Sequence, residues 1–230
     1  MIRIENTDVL GLEHAIRGMR NPLNSWDKSD SFTCYEKGHC EECLDCLGDC
    51  PLEDSEDDIY TYVGSNDLDL MKRLANAGSD HAKYRRMIIV YADVVAPLYW
   101  WKEYDTYKVG TVANSCSTMH KIQDKEFTPD DFSHDKLDFP SYCMLKDIIN
   151  VLNKNRELFI AFKDKAYWWN MIQLLPSSYN QRRTIQLNYE VLANIYHSRK
   201  IHKLTEWVNF CEWIETLPYS EIITGGGKHE

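Results

Sequence analysis

Apolar and polar residues alternate along most of this chain with a recognisable period, and one segment has no period at all. Residues 1–5 (MIRIE) alternate in period two and predict a first strand. Asp8 is a candidate N-cap for a helix over about residues 9–19, with Leu10, Ala15 and Ile16 mainly on one side. Asn66 is the next candidate cap. Asp67 and Asp69 sit in the first turn that follows it, Leu68, Met71, Leu74 and Ala75 form a stripe, and Gly78 ends the helix. The run RRMIIVYAD (85–93) has a short, partly β-branched apolar centre and predicts a buried strand, with a helical turn after Pro97. Ser141 starts a helix that places Leu145, Ile148, Ile149 and Leu152 on one face. Residues 157–173 continue as an aromatic helix, and LLPSS (174–178) breaks it. Two helices close the pattern, Arg182 to about His197 and Lys203 to about Leu217. No internal repeat is present. These elements predict an α+β fold, mostly helical with a small antiparallel sheet.

The segment without a period lies near the N-terminus. NPLNSWDKSD (21–30) reads as a loop from its Asn, Pro, Ser and Asp content. A Cys-rich, acidic stretch follows over 32–58, and IYTYV (59–63) alternates like a short strand. The predicted organisation is a main domain of residues 1–31 and 64–220, an acidic insertion over 32–63, and a flexible tail over 221–230.

Charge sharpens this division. The chain carries a formal net charge of −10. Nine acids lie within residues 41–58 with no Lys or Arg, which leaves 26 basic against 27 acidic residues elsewhere. The body is therefore near neutral and lacks the basic face of a non-specific nucleic-acid binder. A small anion held by a few arginines remains compatible with it. The N-terminal residues MIRIENTDVLGLEHAIRG carry charges throughout and lack the apolar core of a signal peptide. The stretch Met87 to Trp101 is short for a membrane span and contains Asp93. A cytoplasmic protein with no membrane partner is expected, and in that compartment clustered cysteines favour metal ligation over disulfides.

The cysteines supply the first candidate chemistry. Residues 40–51 read CEECLDCLGDCP, a Cys-x2-Cys-x2-Cys-x3-Cys-Pro spacing shared with bacterial iron–sulfur proteins. Thiolates are soft and charged, and spacings of two or three residues let turns aim neighbouring sulfurs at one point. The candidate ligands are Cys34, Cys40, Cys43, Cys46 and Cys50, with His39 nearby. A second run, which a two-cluster ferredoxin needs, is absent. Zinc in a closed site is the simplest solution for a short loop without its own core, ahead of an iron–sulfur cluster and of an unmetallated acidic loop. Cys116, Cys143 and Cys211 are isolated and read as core or near-core residues.

Two further stretches concentrate polar groups. Residues 94–122 hold Asp105, Tyr107, Lys108, Asn114, Ser115, Cys116, Ser117 and His120, which suit hydrogen bonding to a nucleotide or phosphate. They also suit an irregular surface turn with local caps. Residues 175–207 place Arg182 and Arg183 at a predicted helix start and Arg199 at a helix junction. Helix-start amides and arginine forks bind anions, and a solvated basic face is the plainer alternative.

Taken in order, LMKRLANAG (70–78), RRMIIVYADVVAPLYWW (85–101), DTYKVGTVANSCSTMHK (105–121), LPSSYNQRRTIQLNYEVLANIYHSRK (175–200) and LTEWVNFCEWI (204–214) resemble the layout of the flavin-dependent thymidylate synthases. The resemblance spans about residues 1–24 and 64–218. It implies that family's fold, a pyrimidine nucleotide such as dUMP as ligand, FAD as cofactor and a homotetramer with sites between subunits. It places Arg182 or Arg183 and Arg199 on the nucleotide phosphate, with Ser115 and Ser117 lining the nucleotide site. Asn114, Lys108 and Asn188 fall on the cofactor side. Several family residues are replaced. Asp105-Thr-Tyr-Lys108 stands where the flavin-gripping Arg-His-Arg is expected. Ser115 and Met119 replace a Glu and an Arg, Glu190 replaces the Arg of Asn-Leu-Arg, and Thr205 and Trp207 replace a Gln and a Glu. Losing these cations predicts a weakened flavin site. A divergent nucleotide-binding member is therefore the first expectation, with an active form being a methyltransferase. An interaction protein working through its acidic Cys-rich lobe is the second, and an iron–sulfur redox protein the third.

Overall fold

The computed structural model describes residues 1–34 and 60–225. In chain order the elements are β1 (Arg3–Leu10), α1 (Leu12–Arg20), β2 (Phe32–Cys34), β3 (Tyr60–Tyr62), α2 (Ser65–Asn76), β4 (Ile89–Pro97), α3 (Leu98–Tyr104), β5 (Val112–Ser115), α4 (Phe139–Phe162), α5 (Lys165–Leu174), β6 (Asn180–Asn188), α6 (Tyr189–Arg199), α7 (Thr205–Glu215) and α8 (Glu221–Thr224). This is the expected α+β class, mostly helical with small sheets. Four strands form one sheet in the order β1-β4-β6-β5, and β2 pairs with β3 in a separate ribbon. Among the described residues no helix is long and apolar enough to cross a membrane.

The chain divides into two compact units. The first comprises Met1–Asp8, Tyr91–Leu187 and Ser198–Trp213. It holds most of the four-stranded sheet, and its residues bury alternately, as a half-buried strand requires. Ala92, Val94 and Ala96 of β4 are buried while Tyr91 is exposed. Trp100, Trp101 and Tyr104 of α3 pack with Trp207 and Phe210 of α7, all at most 2% exposed. A second core in this unit joins Ile122, Phe127 and Phe132 to Leu145, Ile149 and Leu152 of α4 and Met171 of α5. The second unit comprises Val9–Val90, Asn188–His197 and Ile214–Glu230.

Several element boundaries differ from the sequence expectation, each for a local reason. Asp8 stays in β1, and α1 starts only after Gly11, whose φ of 93° suits glycine and where a Cβ would strike the Met87 carbonyl. The first turn of α2 is capped from a distance: the Asp30 carboxylate accepts from the Asn66 and Asp67 amides at 2.8 and 3.1 Å. Asp138, not Ser141, caps α4 by accepting from the Ser141 amide at 3.0 Å. That helix then runs unbroken for 24 residues to a left-handed Lys163. The helix expected from Arg182 begins instead at Tyr189, because 180–188 is strand β6. Its Ile185 and Leu187 are buried between less buried Thr184 and Gln186, a period of two rather than 3.6. Residues 221–224 form α8, with Ile222 and Ile223 fully buried.

Strands β2 and β3, which flank residues 35–59 in the sequence, pair with each other. Phe32 pairs with Tyr62, Thr33 with Thr61 and Cys34 with Tyr60, antiparallel. Phe32 and Tyr62 stack at 5.2 Å. Val63 is buried, and its amide donates to the Tyr219 hydroxyl at 2.9 Å. Cys40, Cys43, Cys46 and Cys50 lie outside the described residues. Among the described residues no group of three or more His, Cys, Asp or Glu is placed to hold a metal ion.

The register at Cys34 and Tyr60 makes a direct prediction. A two-residue Asn-Gly turn in place of residues 35–59 matches a hairpin closed by that pair. Closing the shorter loop favours the folded state by up to ~2 kcal/mol. The expected product unfolds cooperatively, with unchanged near-UV circular dichroism and equal or higher stability in urea. A molten product would show that residues 35–59 supply part of the core.

Candidate functional site

The predicted anion-binding arginines sit on β6 and at the α6–α7 junction, and the strand separates two of them. Successive strand residues point to opposite faces, so Arg182 and Arg183 diverge. Arg183 shares its face with Gln181 and Ile185. Its guanidinium lies 4.3 Å from the centre of the Trp101 ring, donates to Gln181 Oε1 at 3.0 Å, and pairs with Asp105 at 2.7 Å. The Trp101 indole is itself pinned by donating to the Gln181 carbonyl at 3.0 Å.

Arg182 faces the other way. It pairs with Asp93 at 2.7 Å and with Glu5 at 3.4 Å. Asp93 also accepts from Thr184 Oγ1 at 2.5 Å and Asn6 Nδ2 at 2.8 Å. The Thr184 hydrogen bond, then those of Arg182 and Asn6, hold the Asp93 carboxyl well below the usual carboxylate range.

Arg199 closes the same end of α3 that Arg183 approaches. Its Nε donates to the Tyr107 hydroxyl at 3.0 Å, and its Nη1 lies 2.8 Å from Glu103 and 3.0 Å from His202 Nε2. The guanidinium stacks 4.8 Å from the Trp207 ring centre. The Trp207 indole N–H donates to the same Glu103 oxygen at 3.0 Å. Arg183 and Arg199 are thus both anchored on Trp101, Glu103, Asp105 and Tyr107, the C-terminal half of α3 and the turn after it. The two ion pairs differ in access. Asp105 is 51% exposed and its bond to Arg183 is open to exchange, whereas Arg199 and Glu103 are 20% and 33% exposed.

The edge strand β5 runs alongside. It pairs antiparallel with β6, placing Ser115 opposite Arg183 and Asn114 opposite Thr184. Directly opposite residues share a face, so Ser115 lies on the Arg183 side and Asn114 on the other. The Cys116 amide donates to the Arg182 carbonyl at 2.9 Å, and Gln181 Nε2 donates to the Cys116 carbonyl at 2.9 Å. Ser117 Oγ accepts from the His120 amide at 3.0 Å. Lys108, Asn114, Ser115 and Ser117 are all exposed at this edge. Asn188 belongs to the second unit, where its Oδ1 caps α6 by accepting from the Val191 amide at 3.0 Å.

No protein-family model matches the chain, and no curated protein matches it either. Solved structures do. A thymidylate synthase X (ThyX) from Helicobacter pylori with FAD and dUMP matches at a TM-score of 0.69 and 15% identity, over 99% of this chain and 100% of that one. A second Helicobacter pylori flavin-dependent ThyX complexed with FAD and dUMP gives 0.62 and 14%, over 98% and 100%. A UMP/dUMP methylase, PolB, from Streptomyces cacaoi bound with 5-Br dUMP gives 0.58 and 13%, over 99% and 96%. The chain has the flavin-dependent thymidylate synthase fold.

On this thymidylate synthase fold the replaced motif residues have structural work of their own. In the segment 105–108, Asp105 and Tyr107 bond to Arg183 and Arg199, and Lys108 is the one cation. Trp207 is fully buried against Glu103. Glu190 lies 3.5 Å from Arg85, itself 4% exposed. Sequence reasoning singled out the arginines but missed Glu103, Asp93 and Trp101. An acid or indole in an amphipathic stretch carries no sign of the distant arginine it will meet.

Proposed function

We propose that this chain binds a pyrimidine nucleotide such as dUMP at the end of α3, with Arg183 and Arg199 on the phosphate and Ser115 at its edge. The observation that carries this reading is the convergence of both guanidiniums on one turn beside a hydroxyl-bearing edge strand. It is supported by the dUMP present in two solved proteins of the same fold. Phosphate would displace the exposed Asp105 from Arg183, exchanging a solvent-screened ion pair for a charge-assisted contact with a dianion. Arg199, held by Glu103 and stacked on Trp207, would act as a preset wall. Arg182 stays with Asp93 and takes no part.

A flavin is the cofactor this fold implies, and the residues present fit it incompletely. Its pyrophosphate would find Lys108 and Asn114, but the carboxylate of Asp105 stands in the same segment. A single cation there supports a weaker grip than an Arg-His-Arg segment.

Titration calorimetry with dUMP at low salt tests the nucleotide reading. Arg183→Ala is expected to weaken binding about 10- to 100-fold, from the loss of one charge-assisted contact worth about 1.5–3 kcal/mol. Arg182→Lys should leave the affinity unchanged. No dUMP binding by the wild type, or a loss confined to Arg182→Lys, would overturn the proposal.

A further inference from the structure

The loop after α1 and the β2–β3 ribbon lie outside the layout shared with the thymidylate synthases, yet the loop is closely fastened. Arg20, paired with Asp67, donates to the carbonyls of Ser25 and Lys28 and so holds the turn around Trp26 from both sides. Ser29 and Ser31 tie the next residues to the same carboxylate. The Trp26 indole N–H donates to Asn21 Oδ1 at 2.9 Å. These bonds fix the ring, but it is 49% exposed and stacks on no other ring among the described residues. Holding a large aromatic ring in water costs conformational entropy without adding to the core.

Trp26 borders a cavity of about 360 Å³ in the second unit, lined by α1, this loop and the ribbon. That volume lies in the range of small-molecule sites. Ile16, 5% exposed, supplies an apolar floor, and Trp26 and Phe32 supply aromatic surface. Thr33 and Thr61 are cross-strand partners whose hydroxyl oxygens lie 3.2 Å apart. One hydroxyl donates to the other, which leaves the second with a proton to donate. Glu13, Arg17 and Arg20 bring charge to the cavity. Arg20 is neutralised by Asp67, and Glu13 already has a partner. Arg17 donates to His14 Nδ1 at 3.4 Å and meets no carboxylate among the described residues.

We propose that this cavity is a second ligand site and that it takes an aromatic carboxylate. The ring packs against Trp26 and Phe32 over Ile16, and the carboxylate accepts from Arg17 and from the threonine pair. Charge decides the class. A neutral ring leaves the guanidinium without a counter-charge, and a cation is repelled by it. The preset indole lowers the ordering cost of binding. The site shares no residue with the end of α3 and is independent of the nucleotide reading.

Titration calorimetry of the full chain with naphthoate tests this. Saturable binding is expected, with a Kd below about 1 mM. Naphthamide, the same ring without the charge, should bind about 10-fold more weakly, because it forgoes a charge-assisted contact. Arg17→Gln and Trp26→Ala should each weaken naphthoate binding about 10-fold with far-UV circular dichroism unchanged. Thr61→Val keeps a β-branched side chain in the ribbon and gives a further measure should Trp26→Ala fold poorly. Its expected loss is about 5-fold. Saturating dUMP should leave the naphthoate affinity unchanged. Naphthoate binding that does not saturate, naphthamide binding as tightly, displacement by dUMP, or an affinity unchanged in both Arg17→Gln and Thr61→Val would each overturn the proposal.

Discussion

Asp67→Asn is expected to lower the stability of the second unit by about 3–5 kcal/mol, the cost of leaving a buried charge without its partner. The sequence places Asp67 in the first turn of α2. In the structure it is fully buried and collects four donors. Arg20 Nε lies 2.6 Å away, Ser29 Oγ and Ser31 Oγ each 2.6 Å, and the Asp30 amide 3.2 Å. Arg20, 5% exposed, also donates to the carbonyls of Ser25 and Lys28 at 3.2 and 2.9 Å. The pair therefore fastens the irregular loop after α1 to the start of α2. Asparagine keeps the shape but withdraws the charge, so Arg20 is left uncompensated.

The same carboxylate gives stability a pH dependence. Burial pushes its pKa up, and the hydrogen bonds from Ser29, Ser31 and Arg20 outweigh that, leaving the group below its ordinary value. A carboxyl lowered in the folded state stabilises above its unfolded pKa of about 3.9, and that contribution is lost as pH falls through the lower folded value. Urea midpoints measured between pH 7 and pH 2.5 should show the gap between wild type and Asp67→Asn constant at neutral pH and closing below about pH 4. A gap that stays constant to pH 2.5 would remove Asp67 from this role.

Arg85→Met should be nearly as costly, about 3–5 kcal/mol, and here the double variant is the sharper test. Arg85 lies 3.5 Å from Glu190, which is 13% exposed, and its Nη2 donates to the Ile222 carbonyl. Its Nε has no hydrogen-bond partner among the described residues, so within them the buried cation is only partly compensated. Removing Arg85 alone strands the Glu190 carboxylate. Removing both, as Arg85→Met with Glu190→Leu, should recover most of the loss, because a hydrophobic pair of similar volume replaces a costly ion pair. Chemical denaturation of the four proteins gives the coupling energy directly. Additive losses in the double variant would mean that the two side chains do not act as a pair. Glu190 is buried beside the cation of Arg85, and its charge is tolerable there only with that partner.

Legibility from sequence varied with how local each cause was. Helix α2 was readable because Leu68, Met71, Leu74 and Ala75 repeat at 3.6 residues, but its cap came from Asp30, 36 residues before Asn66. Strand β6 is not helical as expected from Arg182 because Ile185 and Leu187 keep a period of two that two adjacent arginines mask in the sequence. Strand β5 is exposed along its whole length and has no hydrophobic signal to read. In the candidate site the arginines and serines were named from sequence, but not their division. One residue of strand register sends Arg182 to Asp93 and Arg183 to Asp105.

The sequence by itself determined the fold class, the layout shared with the thymidylate synthases, and the concentration of acids and cysteines in one segment beside a near-neutral remainder. Period, composition and motif order are local properties, and a chain carries them before it folds. Only the tertiary structure decided which charges are partners. It gave Arg199 to Glu103, Arg20 to Asp67 and Arg85 to Glu190. An ion pair depends on where two distant side chains meet and on how much water their meeting excludes. Neither distance nor burial is written in the spacing of residues along the chain.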